Sequence, residues 1–306
     1  MKLPNESLIS HRIDYISVCI CTYKRPRPLE RLLVKLQDQE TKGLFRYSIV
    51  VVDNDHMQSA KGIVKSFGEK SSIAIDYYCE PEQNISLARN KAVQNAKGNF
   101  VAFIDDDELP VNNWLLNLYK AYHEFNADGI LGPVMPYYEI EPPQWIIKGK
   151  FYERPSHKTG AVLHWTNTRT GNVLLRKNIF SEKENMFRLE FGRGGEDRDF
   201  FRRMIERGFH FVWCAEAPVY ETVAPERFKR SFMVRRALVR GQNPHFGLFD
   251  ILKSLIAVPL YTLALPLLLF LSHHIFMKYL IKDFDHIGRI LAFWGIDVVR
   301  DQYVMK

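Results

Sequence analysis

Asn99-Phe100-Val101-Ala102-Phe103-Ile104-Asp105-Asp106-Asp107-Glu108 decides how this chain is to be read. Its apolar residues run without alternation, the pattern of a strand buried on both faces, as in a parallel sheet covered by helices. Four acids follow where that strand must emerge. Three consecutive aspartates repel one another, and a bound cation relieves the cost. A carboxylate pair at a strand tip suits a divalent cation and a bound diphosphate. On an extended backbone Asp105 and Asp107 point to one side and Asp106 to the other, which makes Asp105 and Asp107 the candidate ligands. A solvated acidic loop is the plain alternative.

Working outward, the same strand pattern recurs at Ile16 to Thr22, Tyr47 to Val52 and Ile73 to Cys79. Helical spacing fills the gaps, at Pro28 to Gln39, about Met57 to Phe67, and Ile85 to Lys97, which stops at Gly98. Strands alternating with helices imply an α/β fold with a mostly parallel central sheet flanked by helices. Ligands of such sheets sit beyond the carboxyl ends of the strands, where Asp53 and Asp105 to Asp107 fall. Trp114 to Phe125 is a predicted helix, and Pro133 to Pro155, rich in proline and aromatics, is expected to be irregular. Val173 to Arg176 and Phe209 to Cys214 are predicted strands, and Glu196 to Arg207 a helix stopped by Gly208. That helix opens from a second acidic cluster, Gly192-Arg193-Gly194-Gly195-Glu196-Asp197-Arg198-Asp199-Phe200. A carboxylate at a loop-to-helix junction suits a general base, although acids at a helix N-terminus can also serve only the helix dipole. Together the two clusters point to group transfer from an activated, phosphate-bearing donor.

The chain has 306 residues, enough for one large domain or a domain with an appendage. Residues 226–306 carry a balance of +6, and the other 225 residues only +1, so the overall +7 describes the tail. That distribution argues against nucleic acid as a partner. The boundary is accordingly set as 1–225 for the catalytic part and 226–306 for the tail. In the tail a basic stretch, Arg227 to Arg240, precedes Ser254 to Met277, which has no Asp, Glu, Lys or Arg over 24 residues. That length suffices to cross a bilayer core, with Pro259 and Pro266 expected to kink it. Ile287, Ile290, Leu291, Trp294 and Val298 then form an apolar stripe at helical spacing. Cys19, Cys21, Cys79 and Cys214 read as buried thiols of a reducing compartment. Met1 to Asp14 has no apolar core, so no signal peptide is expected there.

Five stretches, in order, resemble the bacterial family 2 glycosyltransferases of the GT-A fold. They are Val18-Cys19-Ile20-Cys21-Thr22-Tyr23-Lys24-Arg25, Val50-Val51-Val52-Asp53-Asn54, Asn84-Ile85-Ser86-Leu87-Ala88-Arg89-Asn90, Ile104-Asp105-Asp106-Asp107 and Gly194-Gly195-Glu196-Asp197. The surroundings of Trp165 to Arg176 and of Val212-Trp213-Cys214 look closest to a succinoglycan-type glucosyltransferase subgroup. Two departures stand out: Asn54-Asp55-His56 follows Asp53 where the family often has Gly-Ser after two acids, and Lys24 stands where asparagine is commoner.

The resemblance implies a GT-A catalytic domain followed by a helical, membrane-associating segment. It implies a nucleotide-sugar donor, with a UDP-sugar as the expected one, and Mn²⁺ or Mg²⁺ as cofactor. Asp53 would accept from a uracil-like N–H, and Thr22 or Tyr23 would line the base pocket. Arg89 would face base or phosphates. Asp105 and Asp106 fall within the donor-binding Asp-x-Asp motif, Asp105 on ribose or cation, and Asp107 would hold the metal. Asp197, with Glu196 beside it, would be the base of a single, inverting displacement. Trp145 could stack on a sugar or simply pack. The polybasic stretch beside a long apolar segment favours an anionic membrane surface, placing the enzyme on the cytoplasmic face of the bacterial inner membrane, with a lipid-linked saccharide acceptor in surface polysaccharide synthesis. A non-catalytic sugar-nucleotide or polysaccharide-binding module is the competing class, and a nucleotidyltransferase a weaker one, since Lys24-Arg25-Pro26-Arg27 lacks the glycines of a phosphate loop. No Gly-x-Gly-x-x-Gly follows the first strand, which argues against a dinucleotide dehydrogenase.

Overall fold

The computed structural model describes residues 13–192, 194–242 and 247–296. Most of the Met1 to Asp14 segment, Arg193 of the glycine loop and Val298 of the last stripe lie outside those residues.

A seven-stranded sheet forms the frame, in the order β3-β2-β1-β4-β8-β6-β9. Its strands are β1 (Asp14–Thr22), β2 (Phe45–Asp53), β3 (Ile75–Cys79), β4 (Phe100–Ile104), β6 (Gly129–Leu131), β8 (Asn172–Arg176) and β9 (Phe211–Trp213). Neighbours pair in parallel except around β8, which is antiparallel to both β4 and β6. A second sheet joins β5 (Glu108–Pro110), β10 (Val219–Thr222) and β7 (Val134–Tyr137).

The unbroken apolar runs have the expected cause. Ile16, Val18 and Ile20 of β1, Ile49 and Val51 of β2, and Phe100, Ala102 and Ile104 of β4 enter one core. Cys19, Val50, Val52, Val101 and Phe103, the residues between them, enter a second core on the other face. Helices α1 (Pro26–Gln37), α2 (Lys61–Gly68) and α4 (Trp114–Phe125) cover the first face; α3 (Ile85–Asn95) and α6 (Glu196–Glu206) cover the second. The four cysteines are unbridged, with Cys19 and Cys214 buried.

Three elements differ from the sequence reading. The helix expected from Met57 begins only at Lys61. Residues 55–60 turn instead around acceptors, the Asp55 carboxylate taking the Met57 N–H at 3.2 Å and the Asp53 carboxylate the Ala60 N–H at 2.8 Å. The region expected to be irregular, Pro133 to Pro155, holds β7 and a short helix, α5 (Gln144–Gly149). Both are stabilised by distant partners, β7 by β10 and α5 by a third core built from Ile146, Tyr152, Val223, Phe228, Met233 and Met277.

The third difference lies in the tail. The charge-free run is not one segment: α8 (Leu248–Leu271) ends at Ser272, whose extended backbone (φ −170°) turns the chain into α9 (His273–Phe293). Pro259 and Pro266 sit inside α8 without ending it. Cross-contacts show an antiparallel hairpin: Ser254 Oγ lies 2.9 Å from His286 Nδ1, and Thr262 donates to Asp283 at 3.1 Å. The basic stretch forms α7 (Arg230–Gly241), which crosses α9 where Gly241 and Gly288 leave no room for a Cβ. Arg240 and Asp285 clamp that crossing with bonds of 2.6 and 2.8 Å.

Candidate active site

The carboxyl end of the sheet opens into a cavity of about 590 Å³. The turn after β1 builds one wall. Thr22, the last residue of β1, lies level with Asp53 of β2, and its hydroxyl donates to Asp106 Oδ2 at 2.7 Å. Next, Lys24 takes a left-handed conformation (φ 54°), which asparagine tolerates better than lysine does. The turn brings Arg25 Nη1 to 3.1 Å from both Asp106 and Asp107. Burial opposes the charge on this guanidinium, but the two aspartates hold its pKa above the usual value.

The acidic tip of β4 is a turn rather than an extended strand, so Asp106 and Asp107 do not point to opposite sides but both reach Arg25. Asp106 is buried, whereas Asp105 is half exposed to the cavity. Burial raises the Asp106 carboxyl to about 7 against the pull of Arg25. Glu108 closes the turn by accepting the Asp105 N–H at 3.1 Å, and burial pushes its carboxyl well above the usual range. Gly171 passes so close that a Cβ there would lie 2.8 Å from Glu108 Oε1 and 3.1 Å from Asp105 Oδ2.

The second cluster faces the first. Gly194 (φ 133°) and Gly195 (φ 93°) take conformations closed to other residues without strain, and so launch α6 with Glu196 and Asp197 in its first turn. Helix α3, capped by Asn84, whose side chain accepts the Ser86 and Leu87 N–H groups, places Arg89 between the clusters. Arg89 is ion-paired to Glu196 and lies 3.8 Å from Asp105. Burial works against this guanidinium, and Glu196 and Asp105 raise its pKa nonetheless. Two acidic motifs about ninety residues apart are thus joined by one arginine. Glu196 is buried in that pair, while Asp197 is partly exposed on the cavity wall. Asp199 turns away to Arg203 at 2.8 Å and Arg188 at 3.4 Å.

The cavity therefore gathers Thr22, Tyr23, Arg89, Asp105, Asp106, Asp107, Glu196 and Asp197. Asp53 does not line it. Its carboxylate is buried and accepts from the Ala60 N–H, the Tyr77 hydroxyl at 3.0 Å and the Asp55 N–H at 3.2 Å. Trp145 packs against Phe151 and His273, with ring centroids 5.3 and 5.5 Å away, in the third core. Sequence reasoning passed over Arg25, Arg154, Arg169, Glu221, Arg227 and Arg236, all on the cavity wall. Arg227 joins the tail to the site, bonding Asp107 at 3.3 Å and Glu221 at 2.7 Å. Arg25 ends the first of the five stretches, and Arg227 and Arg236 belong to the basic stretch of the tail, but nothing local in either marked them as facing the acids.

Asp105 and Asp107 offer hard carboxylate oxygens to one cavity, the donor chemistry that Mg²⁺ or Mn²⁺ requires. Among the described residues no group of three or more His, Cys, Asp or Glu converges as a cage. Two carboxylates leave coordination positions open, so the donor set fits a cation shared with a diphosphate.

Comparison with known proteins agrees with this geometry. The model of glycosyl transferase family 2 matches residues 17–182. The chain is 34% identical over 245 residues to the succinoglycan biosynthesis protein ExoM of Rhizobium meliloti, covering 79% of this chain and 75% of that protein. Among solved structures, S. aureus TarS 1-349 in complex with UDP-GlcNAc superposes with a TM-score of 0.52 at 18% identity, over 94% of this chain and 95% of that one. GalNAc-T7 with UDP, GalNAc and Mn²⁺ gives 0.54 at 13% identity, over 72% and 46%. These two share the GT-A fold with the chain.

Proposed function

The chain belongs to glycosyl transferase family 2, and from that premise we propose that it transfers a sugar from a UDP-sugar to a hydroxyl of a lipid-linked or oligosaccharide acceptor, inverting the anomeric centre. The observation that carries this reading is the meeting of two acidic clusters across one cavity through Arg89. The named relatives support the donor and the setting: ExoM takes part in succinoglycan biosynthesis, and TarS was solved with UDP-GlcNAc.

Each residue then has a task. Thr22 and Tyr23 form the wall against which the nucleotide rests. Asp53 has no exposed oxygen, so it supports the nucleotide site by holding the 53–60 turn. Asp105 and Asp107 would hold Mn²⁺ or Mg²⁺, which when bound neutralises charge on the leaving diphosphate. Arg89 fixes Glu196 and so orients the start of α6. Asp197 takes the proton from the acceptor hydroxyl as its oxygen attacks the anomeric carbon; the bond to the diphosphate oxygen breaks, and UDP leaves. One base and one displacement invert the centre with no covalent intermediate.

The exposed apolar face of α8 supports attachment to a membrane surface, and the basic side chains of α7 favour an anionic, cytoplasmic leaflet. Asp197→Asn tests the assignment. Transfer should fall by about 10²-fold or more, the scale of a lost general base, with donor binding unchanged. Wild-type turnover in that variant would remove Asp197 from the role. Donor binding without any turnover in the wild type would favour a non-catalytic module.

A further inference from the structure

The cavity holds more positive charge than its own acids can balance. Among the described residues eight basic side chains line it against six acidic ones. Five of the acids are already committed to four of the arginines: Arg25 to Asp106 and Asp107, Arg89 to Glu196 and more distantly to Asp105, and Arg154 and Arg227 to Glu221. Arg169, in the loop before β8, and Arg236, on α7, are half buried on the same wall and form no ion pair among the described residues. Burial disfavours the charge of both, and the neighbouring guanidiniums, Arg154 beside Arg169 and Arg227 beside Arg236, disfavour it further, against a partial offset from Glu108, Asp197 and Glu221 at Arg169 and from Glu221 at Arg236. Half-buried cations with no acid within ion-pair distance are costly, and an oxyanion in the cavity would relieve that cost.

Their position indicates which oxyanion. Arg169 lines the same cavity as Asp197, the candidate base that the attacking hydroxyl must approach. Arg236 belongs to α7, which the Gly241–Gly288 contact and the Arg240–Asp285 bonds lock to α9. Helix α9 in turn carries α8, whose outer face is apolar and exposed. Arg236, one of the two half-buried arginines, and the apolar surface therefore share one helical support. A ligand with a phosphate at one end and a hydrocarbon chain beyond it matches both.

We propose that Arg169 and Arg236 form a phosphoryl subsite for the lipid carrier of the acceptor, separate from the place of the donor diphosphate at Asp105 and Asp107. This rests on the transferase reading and assigns the acceptor's anchor to named residues. Phosphate in this cavity could also come from the donor, so the test has two arms.

Full-length protein in detergent would be titrated calorimetrically with UDP, and then, saturated with UDP, with farnesyl diphosphate. The same titrations would be run on R169Q/R236Q and R169K/R236K. The wild type should bind farnesyl diphosphate in the presence of UDP. In R169Q/R236Q that affinity should drop by about a hundredfold, the scale of two charge-assisted contacts, while UDP affinity stays within about twofold. R169K/R236K keeps the charges but loses the planar fork, and should fall between them. The Lys pair also shows that loss of binding is not loss of fold. An equal fall in UDP affinity in R169Q/R236Q, competition between the two ligands, or farnesyl diphosphate binding that is absent from the wild type or indifferent to both variants would each overturn the proposal. Arginine-dependent farnesyl diphosphate binding with no UDP binding would sustain the subsite while sinking the transferase reading, so the two failures are distinguishable.

Discussion

At the residue scale, Arg89 joins what the sequence keeps apart. It is buried, and so is its partner Glu196. Removing one member of a buried ion pair leaves an uncompensated charge, at a cost of about 3–5 kcal/mol. Arg89→Leu should lose stability on that scale in urea unfolding; a loss below about 1 kcal/mol would mean the pair does not hold the two clusters together. Lys24 makes a smaller prediction. Its left-handed backbone is strained for a lysine, so Lys24→Gly should raise the urea midpoint by the equivalent of about 1 kcal/mol. An unchanged or lower midpoint would show that the turn is not strained. At this scale motifs were legible and pairings were not. Asp105, Asp107, Glu196 and Asp197 stand out because acids gather at element ends. Asp53 stands out equally, yet its carboxylate is spent on the Ala60 N–H and the Tyr77 hydroxyl. Nothing local distinguishes an acid that faces a ligand from one that folds a turn.

At the element scale, the strands buried on both faces announced themselves. Phe100 to Ile104 is apolar throughout, and Ile16 to Ile20 is so apart from Ser17, because each alternate residue has its own core to enter. The short elements were silent. β5, β7 and β10 have three or four residues each and exist by pairing with one another across gaps of about a hundred residues. Helix α5 likewise forms against tail residues that reach it only in the folded chain. The glycine pair before α6 was visible in sequence, and the structure supplies its reason. Gly195 at φ 93° aims the first turn of α6 at the cavity. Gly195→Ala should cost about 1–2 kcal/mol from the left-handed backbone alone. It should also depress transfer more than UDP binding, because it moves Asp197 and leaves the β1 and β4 tips in place. Equal loss of both would mean that the loop belongs to the donor site.

At the scale of the molecule, the tail is built into the catalytic unit. Arg227 and Arg236, beyond the expected boundary at 225, line the cavity, and the third core spans that boundary. Composition marked the tail as different, because charge and apolarity are local properties; its docking onto the site has no local signature. The hairpin also bears on how the protein would meet a membrane. If α8 crossed the bilayer, the antiparallel α9 would carry Lys278, Lys282, Asp283, Asp285 and Arg289 in with it. At about 2.5–3.5 kcal/mol for each charged residue deep in hydrocarbon, that arrangement is disfavoured against a hairpin lying in the interface. Leu263 and Phe270, 79% and 89% exposed, are the side chains that such an interface would bury. Leu263→Lys with Phe270→Lys should move the protein from the carbonate-washed membrane pellet to the supernatant without changing its thermal midpoint. Retention in the pellet would assign attachment to another surface.

The central claim is that the two acidic clusters form one donor-binding, transferring site. Calorimetry of purified full-length protein with UDP-glucose, UDP-galactose, UDP-N-acetylglucosamine and GDP-mannose, with and without Mn²⁺, tests it most directly. The account predicts binding of one UDP-sugar that strengthens with Mn²⁺ and is lost in Asp107→Ala. Folded protein that binds none of the four with Mn²⁺ present would contradict it.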